Sequence, residues 1–278
     1  MAKKENTRRI ALDSKSIYAV GDIHGVFSSL VSTIKRYDIT DSAIVCCGDC
    51  GLGFDRTPDA TKLSLKPLDR ICSERNVRVI MMRGNHDDPS FFNNGTVNTE
   101  CITAVPDYTV INGNILLVGG ATSVDRTSRI ASKERLVREY LKYHPGKSAR
   151  DAEKSTSNCY WTDEQPVFDE AELQAILDEG IRIEHVCTHS CPSFCDPQDK
   201  DGLHHWSRMD PALLGDVANE RKTMDLLWER LRKDGHPLKS WIYGHYHRHS
   251  AQSYEGVAFT MLGAVLADGM YPDWIEIR

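Results

Sequence analysis

Arg83-Gly84-Asn85-His86-Asp87-Asp88 sets an amide, an imidazole and two carboxylates side by side, directly after the apolar, β-branched run from Val77 to Met82. An oxygen ligand beside a group that titrates near neutrality is the material of a metal-and-proton site. The preceding run reads as a buried strand, so the cluster falls where α/β sheets keep their chemistry, at a strand's end. Four other segments repeat the layout: Asp22-Ile23-His24 after Ile17 to Val20, Gly48-Asp49 after Ala43 to Cys47, Thr188-His189 after Glu184 to Cys187, and Gly244-His245-Tyr246-His247 after Ser240 to Tyr243. Asp22 and His24, one residue apart on an extended segment, point to the same side. A lone histidine is ordinarily a packing or surface residue. Five strand ends delivering oxygen or imidazole are not explained that way, and the candidate ligands are Asp22, His24, Asp49, Asn85, His189, His245 and His247, with His86 beside them. Nitrogen and oxygen donors without a thiolate suit Mn²⁺, Fe²⁺, Zn²⁺ or Ni²⁺ better than Mg²⁺ or Ca²⁺. Two such ions roughly 3.5 Å apart clamp an in-line displacement at phosphorus.

These residues need a scaffold of strands and helices. Amphipathic segments at Val26 to Tyr37 and Pro58 to Arg75 separate the first three strands, a β-α-β-α-β order that predicts a sheet with helices packed on it. Gly51-Leu52-Gly53-Phe54 lacks the Gly-Lys-Ser/Thr ending of a P-loop and reads as a mobile loop. Asn112-Gly113, between Tyr108 to Ile111 and Ile115 to Val118, is the signature of a tight antiparallel hairpin. The polar stretch at about 121–165, helical from Ser132 to Tyr143, reads as a surface insertion able to cover a pocket, in a chain that is otherwise one domain over 1–278. Helices at Asp169 to Glu179 and Pro211 to Lys233, a polar loop from Asp196 to Asp210, and closing strands at Val257 to Leu262 and Trp274 to Ile277 complete the pattern.

Composition narrows the partners. A net charge of −6 offers no general attraction to long nucleic acid or anionic membrane. No apolar run is long enough to span a bilayer, so a soluble protein is expected. Nine cysteines, two of them adjacent at Cys46-Cys47 in a strand-like run, point to reduced thiols and a cytoplasmic setting rather than a disulfide framework. Cys187, Cys191 and Cys195 fit no zinc spacing, because Pro192 interrupts any helix that would align them.

The ordered set Asp22-x-His24, Gly48-Asp49, Gly84-Asn85-His86-Asp87, Thr188-His189 and Gly244-His245-x-His247 closely resembles the calcineurin-like metallophosphoesterases, from Tyr18 to His247. Gly119-Gly120-Ala121-Thr122-Ser123-Val124-Asp125-Arg126 and Tyr160-Trp161-Thr162-Asp163-Glu164-Gln165-Pro166 look most like its small bacterial and phage-encoded members. The resemblance implies a four-layer α-β-β-α sandwich of two mixed sheets flanked by helices. It also implies Asp22, His24 and His247 on one divalent metal, Asn85, His189 and His245 on a second, and Asp49 bridging. His86 is then the residue that assists the leaving group, and the nucleophile a metal-bound hydroxide. Leu52 and Gly53 stand where the family's protein Ser/Thr phosphatases carry an Asp and an Arg, which weakens a phosphoprotein assignment. Arg56 or, preferably, Arg126 is then the candidate phosphate clamp, and Asp87 either orients His86 or caps a turn.

The expected activity is a metal-dependent phosphomonoesterase with two divalent ions, Mn²⁺ first. The expected substrate is a phosphorylated small molecule, a nucleotide or a phosphoprotein. A phosphodiesterase on cyclic or dinucleotides is the nearest alternative, and a catalytically silent metal-binding scaffold the alternative outside enzymology. Tyr160, Trp161 and Trp206 are aromatic candidates for stacking on a base.

Overall fold

Strands that are apolar on both faces must be covered on both faces, and Ser42–Cys47, buried at every position, is such a strand. The computed structural model describes residues 8–55, 57–156, 160–265 and 272–278. In chain order the first elements are β1 (Arg9–Ile10), β2 (Ser16–Val20), α1 (Phe27–Arg36), β3 (Ser42–Cys47), α2 (Pro58–Arg75), β4 (Val77–Met82), α3 (Ser90–Asn93) and β5 (Ile102–Ala104). The hairpin β6 (Thr109–Ile111) and β7 (Ile115–Val118) leads to α4 (Arg126–Tyr143), α5 (Ala149–Ser155), α6 (Glu170–Asp178) and β8 (His185–Thr188). Then come α7 (Leu203–Trp206), α8 (Leu213–Lys233), β9 (Ser240–Tyr243), β10 (Ser250–Tyr254), β11 (Val257–Met261) and β12 (Trp274–Glu276).

Two mixed sheets result. One runs β12-β2-β3-β4-β5, parallel except for β12; the other runs β1-β6-β7-β8-β9-β11-β10, with antiparallel pairs at β6/β7 and β10/β11. Alternation along the strands sorts the core into layers. Ile44, Cys46, Val79 and Met81 pack with Leu30, Ile34, Leu65 and Leu68 of α1 and α2. Their neighbours Val45, Cys47, Ile80 and Met82 instead meet Leu117, Cys187 and Ile242 of the other sheet. On the far side, Leu173 and Ile176 of α6 and Met224, Leu227 and Trp228 of α8 cover Leu116, Val186 and Trp241. Helix, sheet, sheet, helix is the four-layer sandwich that the family resemblance implied.

Local chemistry explains the punctuation. Thr57 caps α2 by accepting from the Ala60 N–H, Pro58 opens it, and Asn76 closes it in the left-handed region. Asn112 and Gly113 both have positive φ, as the hairpin signature requires. Three expectations change. The insertion helix begins at Arg126 rather than Ser132, and a second helix, α5, follows it with a Ser148–Asp151 capping box. The loop Gly51 to Phe54 is pinned rather than mobile: Leu52 is fully buried, and its N–H and C=O are both hydrogen-bonded to the segment after β4. The short strands β1 and β5 had no sequence signal of their own.

Among the described residues the cysteines are free thiols, all buried. Cys187 lies between the sheets whereas Cys191 and Cys195 lie under α8, so the three do not share one core layer. No helix among the described residues is long and apolar enough to cross a membrane.

Candidate metal centre

The seven candidate ligands arrive at one end of both sheets, and most of them do so through unusual backbone. His24, Asp49, His245 and His247 all have positive φ, a conformation non-glycine residues adopt at a cost of order 1–3 kcal/mol where the surroundings enforce it. Glycines make room beside them. A Cβ on Gly84 would lie 2.1 Å from Asp49 Oδ1, one on Gly244 2.3 Å from Asp22 Oδ1, and one on Gly48 2.3 Å from His189 Nδ1. No side chain fits there.

One donor group is compact: Asp22, His24, Asp49 and His247 each bring a ligand atom, all within 4.8 Å of one another. His247 Nε2 is 3.1 Å from Asp22 Oδ2, and His24 Nε2 is 3.4 Å from Asp49 Oδ2. Both carboxylates are fully buried, and among the described residues those two Oδ2 atoms accept no hydrogen bond. A buried, unsatisfied carboxylate oxygen is costly unless a cation faces it. This donor set fits a divalent ion. The other carboxylate oxygens are structural, since Asp22 Oδ1 accepts from the His245 N–H and Asp49 Oδ1 from the His86 N–H.

Asn85, His189 and His245 gather on the other side of Asp49. His189 Nε2 is 3.0 Å from Asn85 Oδ1 and 3.4 Å from Asp49 Oδ1, and the His189 and His245 rings are 5.0 Å apart. His189 donates through Nδ1 to the Cys47 carbonyl at 2.8 Å, the arrangement that turns Nε2 toward a metal. Burial opposes its charge, but Asp49 and Asp22 together hold its pKa at about 9. His245 is driven the opposite way, by burial and by the ammonium of Lys200, whose Nζ lies 3.0 Å from His245 Nδ1. Lys200 belongs to the loop after β8 and had no signal in the sequence.

Supporting residues also come from outside the strand-end motifs. The Asn85 amide donates to Ser123 Oγ at 2.8 Å, and Ser123 donates onward to Glu164 at 2.7 Å, which fixes Asn85 with its oxygen toward His189. Burial pushes the Glu164 carboxyl up to about 7. Arg83 donates to the carbonyls of Glu164 and Gln165 and pairs with Asp107 at 2.8 Å. The two stretches that pointed to the small bacterial and phage members therefore meet behind Asn85, a pairing visible only in three dimensions.

His86 is buried beside the bridging candidate, Nε2 being 3.9 Å from Asp49 Oδ2. Burial, aided by the charges of Arg129 and Lys200 and opposed by Asp49, takes its pKa down to about 4. Of the two roles open to Asp87 the structural one is seen, and Arg126 is not placed as the expected phosphate clamp. Asp87 does not orient His86: its carboxylate accepts from the N–H groups of Gly84, Cys50, Gly51 and Leu52, tying the loop after β3 to the loop after β4. Arg126 is committed elsewhere, to Asp210 at 2.5 Å and Asp216 at 2.6 Å, where it fastens the start of α4 to α8. One turn further on, Arg129 places Nη2 3.2 Å from His86 Nε2 while its Nε donates to Asp125. Arg56 lies outside the described residues.

A cavity of about 640 Å³ lies between α4, α5 and Trp161; none of the candidate ligands lines it, and Gly53 and Asp88, from the loops after β3 and β4, are the lining residues nearest to them in sequence. Of the aromatic candidates only Trp161 lines it; Trp206 packs against Val124, Leu203 and Leu213.

The family model for calcineurin-like phosphoesterases matches residues 15–256. The chain belongs to the calcineurin-like phosphoesterase family. It is accordingly a metal-dependent phosphoric ester hydrolase, and the donor group around Asp22 and Asp49 is a candidate place for a divalent metal. Similar solved structures include a dimetal phosphatase from Danio rerio (14% identity, 94% of this chain and 91% of that one, TM-score 0.47). A putative 5′-nucleotidase from Staphylococcus aureus matches at 14% identity over 90% of this chain and 48% of its own, with a TM-score of 0.39. The phosphopantetheinyl hydrolase of Mycobacterium tuberculosis matches at 14% identity over 94% and 95%, with a TM-score of 0.38. No curated protein matches this calcineurin-like phosphoesterase.

Proposed function

We propose that the protein is a phosphomonoesterase for a small phosphorylated molecule, working with two divalent ions of which Mn²⁺ suits the mixed nitrogen and oxygen donors. The reading is carried by one observation: two buried carboxylate oxygens without hydrogen bonds, ringed by imidazoles, with His86 beside one of them. Asp22, His24 and His247 would hold one ion, Asn85, His189 and His245 the other, with Asp49 between. Bound there, the ions would neutralise phosphoryl oxygens and acidify a water.

The chain's own residues do the rest. Asn85 is held by Ser123, His189 by the Cys47 carbonyl, and the loop bearing His86 by Asp87, so the groups facing substrate are fixed before it arrives. Arg129 takes the phosphate-gripping role that Arg126 cannot, because its guanidinium already reaches His86. His86 hydrogen-bonds the leaving oxygen; a phosphate dianion set beside it favours the protonated imidazole and restores a proton to give. The α4–α5 insertion walls the approach, which favours a small ester over a folded phosphoprotein. Buried free thiols accord with a cytoplasmic, reducing setting.

The test is hydrolysis of p-nitrophenyl phosphate and bis(p-nitrophenyl) phosphate by chelator-stripped protein reloaded with Mn²⁺, beside Asp49→Asn and His86→Ala. Faster monoester cleavage, lost in both variants, is expected. Faster diester cleavage would replace the monoesterase with a diesterase, and metal binding without turnover of either would leave a scaffold.

A further inference from the structure

Four residues apart on one face of α4 stand Arg129, Lys133 and Val137, and this row joins the reaction centre to the cavity beside it. Arg129 touches His86, while Lys133 and Val137 line the cavity, so the row leads outward over roughly 12 Å of helix. Lys133 also donates to the carbonyls of Glu153 and Thr156, which holds α5 alongside as the second wall. The inner wall is contiguous with the catalytic loops: Asp88 follows His86-Asp87 in sequence, and its N–H donates to the Leu52 carbonyl at 2.7 Å, just before Gly53. Gly53 is needed there. A Cβ on it would meet Asp88 Cβ at 2.7 Å and the Trp161 ring at 3.1 Å.

We propose that this cavity is the subsite for the organic body of the substrate, and that the body is a nucleoside whose phosphate lies at His86 and Arg129. The proposal rests on the phosphomonoesterase reading and gives it a substrate class. A nucleobase has apolar faces and a rim of donors and acceptors. The cavity answers with the indole of Trp161 and the side chain of Val137 for the faces, and with Glu153 and Lys154 for the rim. Its charges balance, Lys133, Arg138 and Lys154 against Asp88, Glu134 and Glu153, which suits a neutral body better than a second anionic group. At about 640 Å³ it holds a nucleoside with space to spare.

The experiment compares kcat/KM for the four nucleoside 5′-monophosphates with that for ribose 5-phosphate, using Mn²⁺-loaded wild type, Trp161→Ala, Trp161→Phe and Val137→Arg. At least one nucleotide is expected to be preferred over ribose 5-phosphate by about 10-fold or more, the worth of one base on an aromatic ring. The preference should fall toward unity in Trp161→Ala and Val137→Arg and return in Trp161→Phe. Calorimetric titration of the free nucleosides into wild type and Trp161→Ala reads the cavity without turnover. Cleavage of both ester types with no preference, a preference that survives both variants, or no nucleoside binding by wild type would overturn the subsite. Nucleoside binding lost in Trp161→Ala, together with no Mn²⁺-dependent cleavage of any ester including p-nitrophenyl phosphate, would instead uphold the subsite and overturn the phosphomonoesterase reading.

Discussion

At the scale of single residues, Arg126 and Arg129 show how little sequence proximity says about role. Three positions apart, one is spent on two aspartates and the other reaches His86, the candidate proton donor. Arg126→Ala should destabilise the fold by about 2 kcal/mol, as the loss of a partly buried pair of ion contacts does, with an intact metal site. Urea unfolding of both proteins measures it. Asp210, held below its ordinary value of 3.8 mainly by its hydrogen bond to Arg126, makes that penalty pH-dependent. The lowered carboxylate stabilises the fold fully above 3.8, and the stabilisation is lost as pH falls through the folded value; the gap between wild type and variant should therefore narrow in strong acid. Arg129→Ala should leave unfolding nearly unchanged and lower kcat/KM for p-nitrophenyl phosphate by about 10-fold or more, as the loss of a charge-assisted phosphate contact does. Steady-state kinetics decides.

Elements position these residues through the loops that end them. The glycines before Asp49, Asn85 and His245 were visible in the sequence only as turn residues, yet each leaves the space that a neighbouring ligand side chain fills. Gly84→Ala forces a Cβ against Asp49 Oδ1 and the Asp49 backbone nitrogen, so it should displace the carboxylate proposed to bridge the ions and lower metal-dependent activity by roughly 100-fold. Retention of wild-type activity would sink the account of that close approach. The candidate ligands at strand ends could be picked out because each follows a short strand-like run. Ser123, Glu164, Arg129 and Lys200 were not, because they reach the centre from segments whose place is set by tertiary packing. The five-residue β2 and six-residue β3 and β4 announce themselves. The two-residue β1 exists only because Val110 and Ile111 offer it a partner about a hundred positions away.

For the molecule as a whole, the seven candidate donors come from loops of both sheets, so an ion bound among them would fasten one sheet to the other. Metal bound to the native state alone adds about 2.7 kcal/mol of stability when the free ion is at a hundred times its dissociation constant. Chelation should lower the melting temperature by several degrees and Mn²⁺ restore it, with Asp49→Asn insensitive to either; calorimetry on the stripped and reloaded protein checks this. The layering followed from the family resemblance, whereas the exchange of terminal strands between sheets was not foreseen: β1 joins the sheet formed mainly by the second half of the chain, and β12 returns to lie antiparallel on β2 in the other.

That exchange sets a timetable for synthesis. A ribosome delivers β2, β3 and β4 early, but the edge of β2 has no neighbour until Trp274–Glu276 emerges, some 250 residues later. Meanwhile the nascent chain presents an open strand edge, the kind of template on which other chains can add. A chain released before Asp273 would keep every candidate metal donor and still lack the strand that closes its first sheet, so truncation there should surface as aggregation during expression before it surfaces as lost chemistry.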